Sequence, residues 1–130
     1  MKRIESRDDV KLLVDTFYAA IRKDALLGPI FNARIPEDQW PAHLSKLTDF
    51  WETNLFAVRR FKGNPSRKHV DVDRHLLFTI TEGHFEHWLE LWFATVDRLF
   101  EGERAEQAKF AAHKMATAQF NVIVQNRPHQ

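Results

Sequence analysis

The sequence predicts an all-α protein. Its apolar residues recur every three or four positions over long stretches, which is the period of a helix buried on one side. No stretch shows the alternation of a half-buried strand, and no internal repeat is present. Since 130 residues suffice for one hydrophobic core, we expect residues 1–130 to form a single domain.

The first helix is predicted over residues 6–24. Ser6 is suited to cap its N-terminus, and Asp8 and Asp9 lie in the first turn, where the helix dipole favours anions. The apolar positions of this helix are Val10, Leu13, Val14, Phe17, Ala20 and Ile21. Tyr18 lies at the edge of that stripe, as a core-edge tyrosine with a hydrated hydroxyl or as a residue with a role inside the protein.

Residues 25–31 form an apolar corner in which Gly28-Pro29 interrupts the first helix. We expect Ile30 and Phe31 to point inward from a short helical turn. An irregular segment over residues 32–35 should follow.

Residues 36–56 are predicted as a helix in two pieces. Pro36 followed by two acidic residues is typical of a helix start, and Pro41 separates a short turn at 37–40 from the main helix. On the main helix, the residues that recur three or four positions apart, and so lie in adjacent rows along the helix, are His43, Lys46, Leu47, Phe50, Trp51 and Leu55. A histidine such as His43 on an apolar face is more often a hydrogen-bonded core residue than a ligand, and both interpretations stay open.

Three more helices are predicted over residues 71–78, 82–100 and 103–125. Thr81 is suited to cap the second of these, and Glu101-Gly102-Glu103 makes a tight connection to the third. The apolar positions of the second are Phe85, Trp88, Leu89, Trp92, Val96, Leu99 and Phe100. Those of the third are Phe110, Met115, Ala116, Phe120, Ile123 and Val124.

The segment Gly63-Asn64-Pro65 predicts a rigid turn that presents His69 after the cations Arg67 and Lys68. A neutral imidazole held in this way is a candidate ligand for iron, zinc or copper. The other interpretation is a capped surface loop with a solvated histidine. His75, on the following helix, is the nearest rival.

Composition excludes several classes of function. Nineteen Lys and Arg against 18 Asp and Glu argue against nucleic-acid binding and against a basic membrane anchor. The absence of cysteine excludes disulfides, zinc ribbons and iron–sulfur clusters. Neither a signal peptide nor an apolar run of about 18 residues is present, so we expect a cytoplasmic protein.

No HExxH, Glu-x-x-His, phosphate-loop, dinucleotide-binding or GxSxG motif occurs. His84 and His87 are spaced to hold a metal ion on a helix surface. The acidic residues around them favour a hydrated polar face instead.

The order of the remaining pieces resembles the truncated haemoglobins, the compact globins with a two-over-two helical sandwich. The pieces are Phe17-Tyr18, Leu27-Gly28-Pro29-Ile30-Phe31-Asn32, Trp40-Pro41-Ala42-His43 through Phe50-Trp51, Gly63-Asn64-Pro65 through Lys68-His69, and Phe85-Glu86-His87-Trp88-Leu89. The third group of the family is most similar, because the chain lacks the glycine-rich pairs of the first two groups.

The resemblance implies haem b as the cofactor and His69 as the ligand on its iron. It implies a cofactor-binding set of His69, Phe31, Lys46, Leu47, Phe50, Arg67 and Lys68, with Arg59 and Arg60 as further cations for the haem propionates. On the opposite, distal side it implies Tyr18, His43 and Trp88. His43 would either ligate the iron in the absence of gas or act as a gate.

The function that the resemblance implies is binding of O₂, CO and NO at the distal pocket. NO-dioxygenase and peroxidase-like chemistry are the candidate activities, and either requires a reductase partner, since the chain carries no flavin or nicotinamide motif. We expect no nucleic-acid or membrane partner, and a monomer or weak dimer. The alternative is a cofactor-free helical protein-interaction module.

Overall fold

The computed structural model describes residues 2–57 and 82–125 of the chain. The elements in chain order are β1 (Lys2–Arg3), α1 (Arg7–Lys23), α2 (Gly28–Arg34), a 3-10 helix (Glu37–Gln39), α3 (Trp40–Phe56), α4 (Glu82–Leu99), β2 (Phe100–Glu101) and α5 (Glu103–Gln125). Several predictions lie outside the described residues: the turn at Gly63-Asn64-Pro65, His69, Arg59, Arg60, Arg67, Lys68, His75, Thr81 and the helix at 71–78.

Within the described residues, each of the four long helices packs against at least two of the others. Helix α1 contacts α3 and α4, and α5 contacts the same two helices from the other side. The all-α prediction is therefore confirmed, with one short exception at β1 and β2. In the part of the chain that the structure covers, no helix is both long and apolar enough to cross a bilayer.

Helix α1 begins and ends where the sequence predicts. The Ser6 hydroxyl accepts a hydrogen bond from the Asp9 backbone N–H at 3.4 Å, as an N-cap does. Val10, Leu13 and Phe17 are fully buried. Ala20 is exposed, so its assignment to the buried stripe is wrong.

Helix α2 corrects the prediction of an irregular segment after Phe31, because it continues to Arg34. Asp24, the C-cap of α1, nucleates the new helix. Its Oδ2 accepts the backbone N–H groups of Leu26 and Leu27 at 3.0 and 2.9 Å, which satisfies donors that precede α2.

Glycine is required at residue 28 by a close approach between backbones. A Cβ built there would lie 2.8 Å from the carbonyl oxygen of Arg22, a distance that real Cβ atoms do not reach. Gly28 thus lets α2 start directly against the end of α1, and Pro29 fits the first turn of α2, where no N–H donor is needed.

The two-piece prediction for residues 36–56 is confirmed. Glu37–Gln39 form a 3-10 turn, and α3 then runs from Trp40 to Phe56. Ala57 ends α3 in the left-handed region, with φ of 59°.

The centre of the core is aromatic. Trp92 of α4 stacks on Trp51 of α3, with ring centroids 4.5 Å apart, and lies parallel to Trp88 at 5.9 Å. Its Nε1–H donates to the Ala108 carbonyl oxygen at 3.1 Å. Helix α5 faces this core with small side chains, which let its backbone come close: Ala105, Ala108, Ala112 and Ala116.

The alanine face of α5 overturns part of the sequence prediction. Phe110 is 71% exposed and Val124 43% exposed, although both were assigned to the apolar face. The face that packs inward carries Ala108 and Ala112, and Phe110 lies between them on the opposite side of the helix.

The short strands β1 and β2 pair in parallel, Lys2 with Phe100 and Arg3 with Glu101. No strand was expected, and two-residue strands are too short to show alternation in a sequence. Gly102 follows at φ of +99° and makes the tight connection that was predicted before α5.

The Ala108→Leu substitution should lower the free energy of unfolding by about 1–3 kcal/mol, because a larger side chain overpacks the contact of α5 with Trp92. Ala118→Leu, at an exposed position of the same helix, is the matched control and should change it by less than about 0.5 kcal/mol. Chemical denaturation of both variants measures the difference. Equal stabilities would contradict close packing at Ala108.

Candidate functional site

Tyr18 of α1 is the centre of a polar cluster inside the helices, formed by Tyr18, His43 and Trp88. Tyr18 is only 5% exposed. Its ring centroid lies 6.2 Å from that of His43 on α3 and 6.0 Å from that of Phe31 on α2. The structure thus brings together side chains from three helices, with Tyr18 buried among them rather than at an exposed edge.

The Trp88 side chain of α4 approaches the Tyr18 hydroxyl of α1 closely enough to act on its pKa as a hydrogen-bond partner, which links the two helices inside this cluster. Indole can only donate, so the Trp88 N–H donates and the phenol oxygen accepts. The phenol proton is not used in this bond and can be donated to another acceptor.

Burial determines the charge state of Tyr18. It raises the pKa of the hydroxyl far above the ordinary value, and the hydrogen bond from Trp88 offsets only part of that rise. Tyr18 therefore stays neutral, as a hydrogen-bond donor, throughout the physiological pH range.

His43 is half-buried on α3, with its ring edge-to-face against Tyr18 and against Trp40 at 5.4 Å. Trp40 is 2% exposed, and its outer face carries the Arg22 guanidinium at 4.7 Å from the ring centroid. Trp40 therefore closes the cluster on the side of α1 and α2. The position of Trp40 beside Tyr18 could not be predicted from the sequence, since it follows only from the packing of α3 on α1.

Phe17 supports the cluster from the core. Its ring lies edge-to-face against Tyr18 at 4.8 Å, Trp88 at 5.2 Å and Trp92 at 4.9 Å. The sequence showed Phe17 only as one member of an apolar stripe. These contacts fix the planes of the two rings that share the hydrogen bond.

The other predicted residues that the structure describes lie on α2 and α3. Phe31, Leu47 and Phe50 are half-buried and pack against the core, and Lys46 is exposed on α3. His69, Arg67 and Lys68 lie outside the described residues.

The ring of His87 lies between acidic side chains. No group of three metal-ligating side chains occurs within residues 2–57 and 82–125. Instead, His87 Nε2 lies 2.7 Å from Asp24 Oδ1, at the junction of α1 and α2, and its Nδ1 lies 3.7 Å from Glu90. No sequence signal predicts this pair, because its members are far apart in the chain.

The comparisons with known proteins agree with the resemblance. No family model matches the chain. A curated protein of Campylobacter jejuni, described as group 3 truncated hemoglobin ctb, is 30% identical over 100 residues, which are 75% of each chain. The crystal structure of group III truncated hemoglobin from Campylobacter jejuni matches 99% of this chain and 100% of its own, with a TM-score of 0.84 and 27% identity.

The helix order and this structural match define the class of the fold as a small all-α globin. The chain belongs to the group III truncated haemoglobins.

Tyrosine ionisation should coincide with alkaline unfolding, because Tyr18 is the only tyrosine and burial opposes its negative charge. A group with a raised pKa loses its contribution to stability as the pH rises above its unfolded value, about 10 for tyrosine. Tyrosinate absorbance and helical circular dichroism, followed together, measure this. The same titration in denaturant is the control. Ionisation near pH 10 in a fully helical protein would contradict the burial of the hydroxyl.

Proposed function

We propose that this chain binds haem b and, through it, the diatomic ligands O₂, CO and NO. The observation that carries the proposal is the buried Tyr18 hydroxyl, which accepts from Trp88 and keeps its own proton for a ligand. Membership of a family whose relatives are named hemoglobins supports it.

The residues around the cluster fit a flat apolar cofactor. Half-buried Phe31, whose ring centroid lies 6.0 Å from that of Tyr18, offers apolar surface beside the polar groups, and half-buried Leu47 and Phe50 follow His43 on α3. Such a mixture, mostly apolar with a few converging polar side chains, is typical of a cofactor site. In this proposal, His69 ligates the iron, and Lys46, Arg67 and Lys68 pair with the haem propionates.

Bound haem supplies the ferrous iron that takes up the gas. The cluster of Tyr18, His43 and Trp88 would stabilise the bound gas by hydrogen bonding. Tyr18 remains protonated because it is buried, and Trp88 donates to its oxygen, so the phenol O–H remains able to donate to a bound ligand. A hydrogen bond to a ligand that carries partial negative charge contributes about 1.5–3 kcal/mol.

A buried donor such as the Tyr18 O–H holds O₂ tightly, which suits turnover of NO or peroxide better than transport. We therefore propose NO-dioxygenase or peroxidase-like chemistry as the candidate activities, with an external reductase. A cytoplasmic location, a single globin domain over residues 1–130 and a monomer or weak dimer complete the proposal. Rapid conversion of the oxygenated protein by NO to ferric protein and nitrate would support the dioxygenase activity, and its absence would contradict it.

The cofactor-free interaction module is tested by colour. We expect the purified protein, or the protein mixed with hemin, to show an intense Soret band that shifts when CO is added. A protein that stays colourless after hemin is added would support the module and overturn the proposed function.

His69→Gly should lose haem or retain it only with added imidazole, because the substitution removes the proposed iron ligand. His75→Ala is the matched control for the rival histidine and should keep the cofactor. The Soret absorbance per polypeptide after gel filtration measures both. The reverse pattern would move the ligand from His69 to His75.

Tyr18→Phe should accelerate O₂ dissociation by about ten- to a hundredfold, since it removes the phenol proton while keeping the ring. Ala19→Ser, at an exposed position on the same helix, is the control and should leave the rate unchanged. Stopped-flow replacement of O₂ by CO measures the rate. An unchanged rate in Tyr18→Phe would exclude Tyr18 as the donor.

A further inference from the structure

We propose that the pair of Asp24 and His87 positions Trp88, so that the protonation state of His87 tunes the hydrogen bond from Trp88 to Tyr18. The effect on ligand binding rests on the proposed function. The effect on the Trp88 hydrogen bond does not, because it concerns only the packing of α4 on α1.

Asp24 is a fixed anchor for the pair. Its Oδ2 accepts the backbone N–H groups of Leu26 and Leu27, and its own N–H donates to the Ile21 carbonyl oxygen at 3.1 Å. Its Oδ1 is left to face His87 Nε2 at 2.7 Å. The side chain is 16% exposed, so the carboxylate is held between the end of α1 and the start of α2.

His87 transmits the position of this anchor to Trp88, its neighbour on α4. Helix α4 is thereby joined to α1 at two points, at the surface through His87 and Asp24, and inside through Trp88 and Tyr18. A rotation or sliding of α4 that lengthens the outer contact also displaces the indole N–H from the phenol oxygen, because both side chains leave the same helical turn.

Contacts around Trp88 limit the displacement. Its indole lies parallel to Trp92 and edge-to-face against Phe17. Losing the outer pair therefore weakens the alignment of the hydrogen bond without removing the ring. Since partly exposed ion pairs contribute little, we expect changes of about two- to fivefold in rate.

The charges that face His87 in the described parts of the chain are both acidic. Asp24 approaches it from the end of α1, and Glu90 from its own helix. The hydrogen bond to Asp24 is the main reason why the pKa of His87 is raised, and the same bond lowers the pKa of Asp24.

The sign of the pH dependence follows from these directions. With a raised pKa, His87 stabilises the fold fully below its unfolded pKa of about 6.5, and this contribution is lost as the pH rises through its folded pKa. With a lowered pKa, Asp24 contributes above its unfolded value, and this contribution is lost as the pH falls through its folded pKa. The charged pair therefore exists from the acidic range up to the raised pKa of His87.

The experiment combines two readouts on the full chain. NMR follows the titration of the His87 ring and the solvent exchange of the Trp88 indole N–H. In the haem-loaded protein, stopped-flow kinetics follow the O₂ dissociation rate across the same pH range. We expect both the exchange rate, beyond its intrinsic rise with pH, and the O₂ dissociation rate to increase by about two- to fivefold as His87 loses its proton.

Three variants separate positioning from general stability. His87→Gln keeps a hydrogen-bonding side chain without a titrating group, so the pH step should vanish. Asp24→Asn keeps one amide oxygen that can accept from the Leu26 and Leu27 N–H groups, and it should move the step to lower pH, following the His87 titration. Asp97→Asn is the matched control, because it removes the ion pair of Asp97 with Lys109 at 2.8 Å, which joins α4 to α5 instead, and should leave the step in place.

The outcomes decide between the alternatives. A pH step that persists unchanged in His87→Gln, or the absence of a step in the wild-type protein while His87 titrates, would overturn the positioning role. If His87→Gln does not fold, the position of the step in Asp24→Asn decides by the same criterion. If the protein takes up no haem, the proposed function fails, while the exchange of the Trp88 N–H still supports or overturns the pair.

Discussion

The hydrogen bond from Trp88 to the buried Tyr18 hydroxyl is the interaction on which the candidate site depends. A hydroxyl taken out of water without a partner costs about 1–3 kcal/mol, so a tyrosine at the centre of an aromatic core must be met by a polar group of another helix. Trp88 meets this requirement from α4. The need to satisfy one phenol therefore restricts how α4 can pack on α1.

Fully buried rings lie on one side of this bond, and half-buried residues lie on the other. On the core side, Phe17, Trp51 and Trp92 are fully or almost fully buried and in direct ring contact. On the other side, His43 and Phe31 are half-buried. A rigid aromatic wall thus holds the donor in place, and under the proposed function a ligand would approach from the less buried side.

The sequence predicted the features that depend on residues close together in the chain, such as helix caps and breaks. The cap at Ser6 and the break before Pro41 follow from local chemistry, and both are confirmed. The resemblance to the family predicted Tyr18, His43 and Trp88 as site residues, and the fold places His43 and Trp88 beside Tyr18. The exposure of Phe110 and the pairing of Asp24 with His87 were missed, because they depend on which faces meet after folding. The length of α2 was missed because the Asp24 side chain, which accepts the N–H groups just before α2, lies outside the helix.

The two links between α1 and α4 differ in their response to protons. The inner link joins an indole to a phenol whose pKa burial has raised, so both groups stay neutral at physiological pH. The outer link joins a carboxylate to an imidazole, which changes charge in that range. Under the proposed positioning role, a change of pH therefore leaves Tyr18 neutral and alters only the alignment of the Trp88 indole with it. In the function proposed here, the group that would touch a ligand and the group that would sense protons are separate side chains.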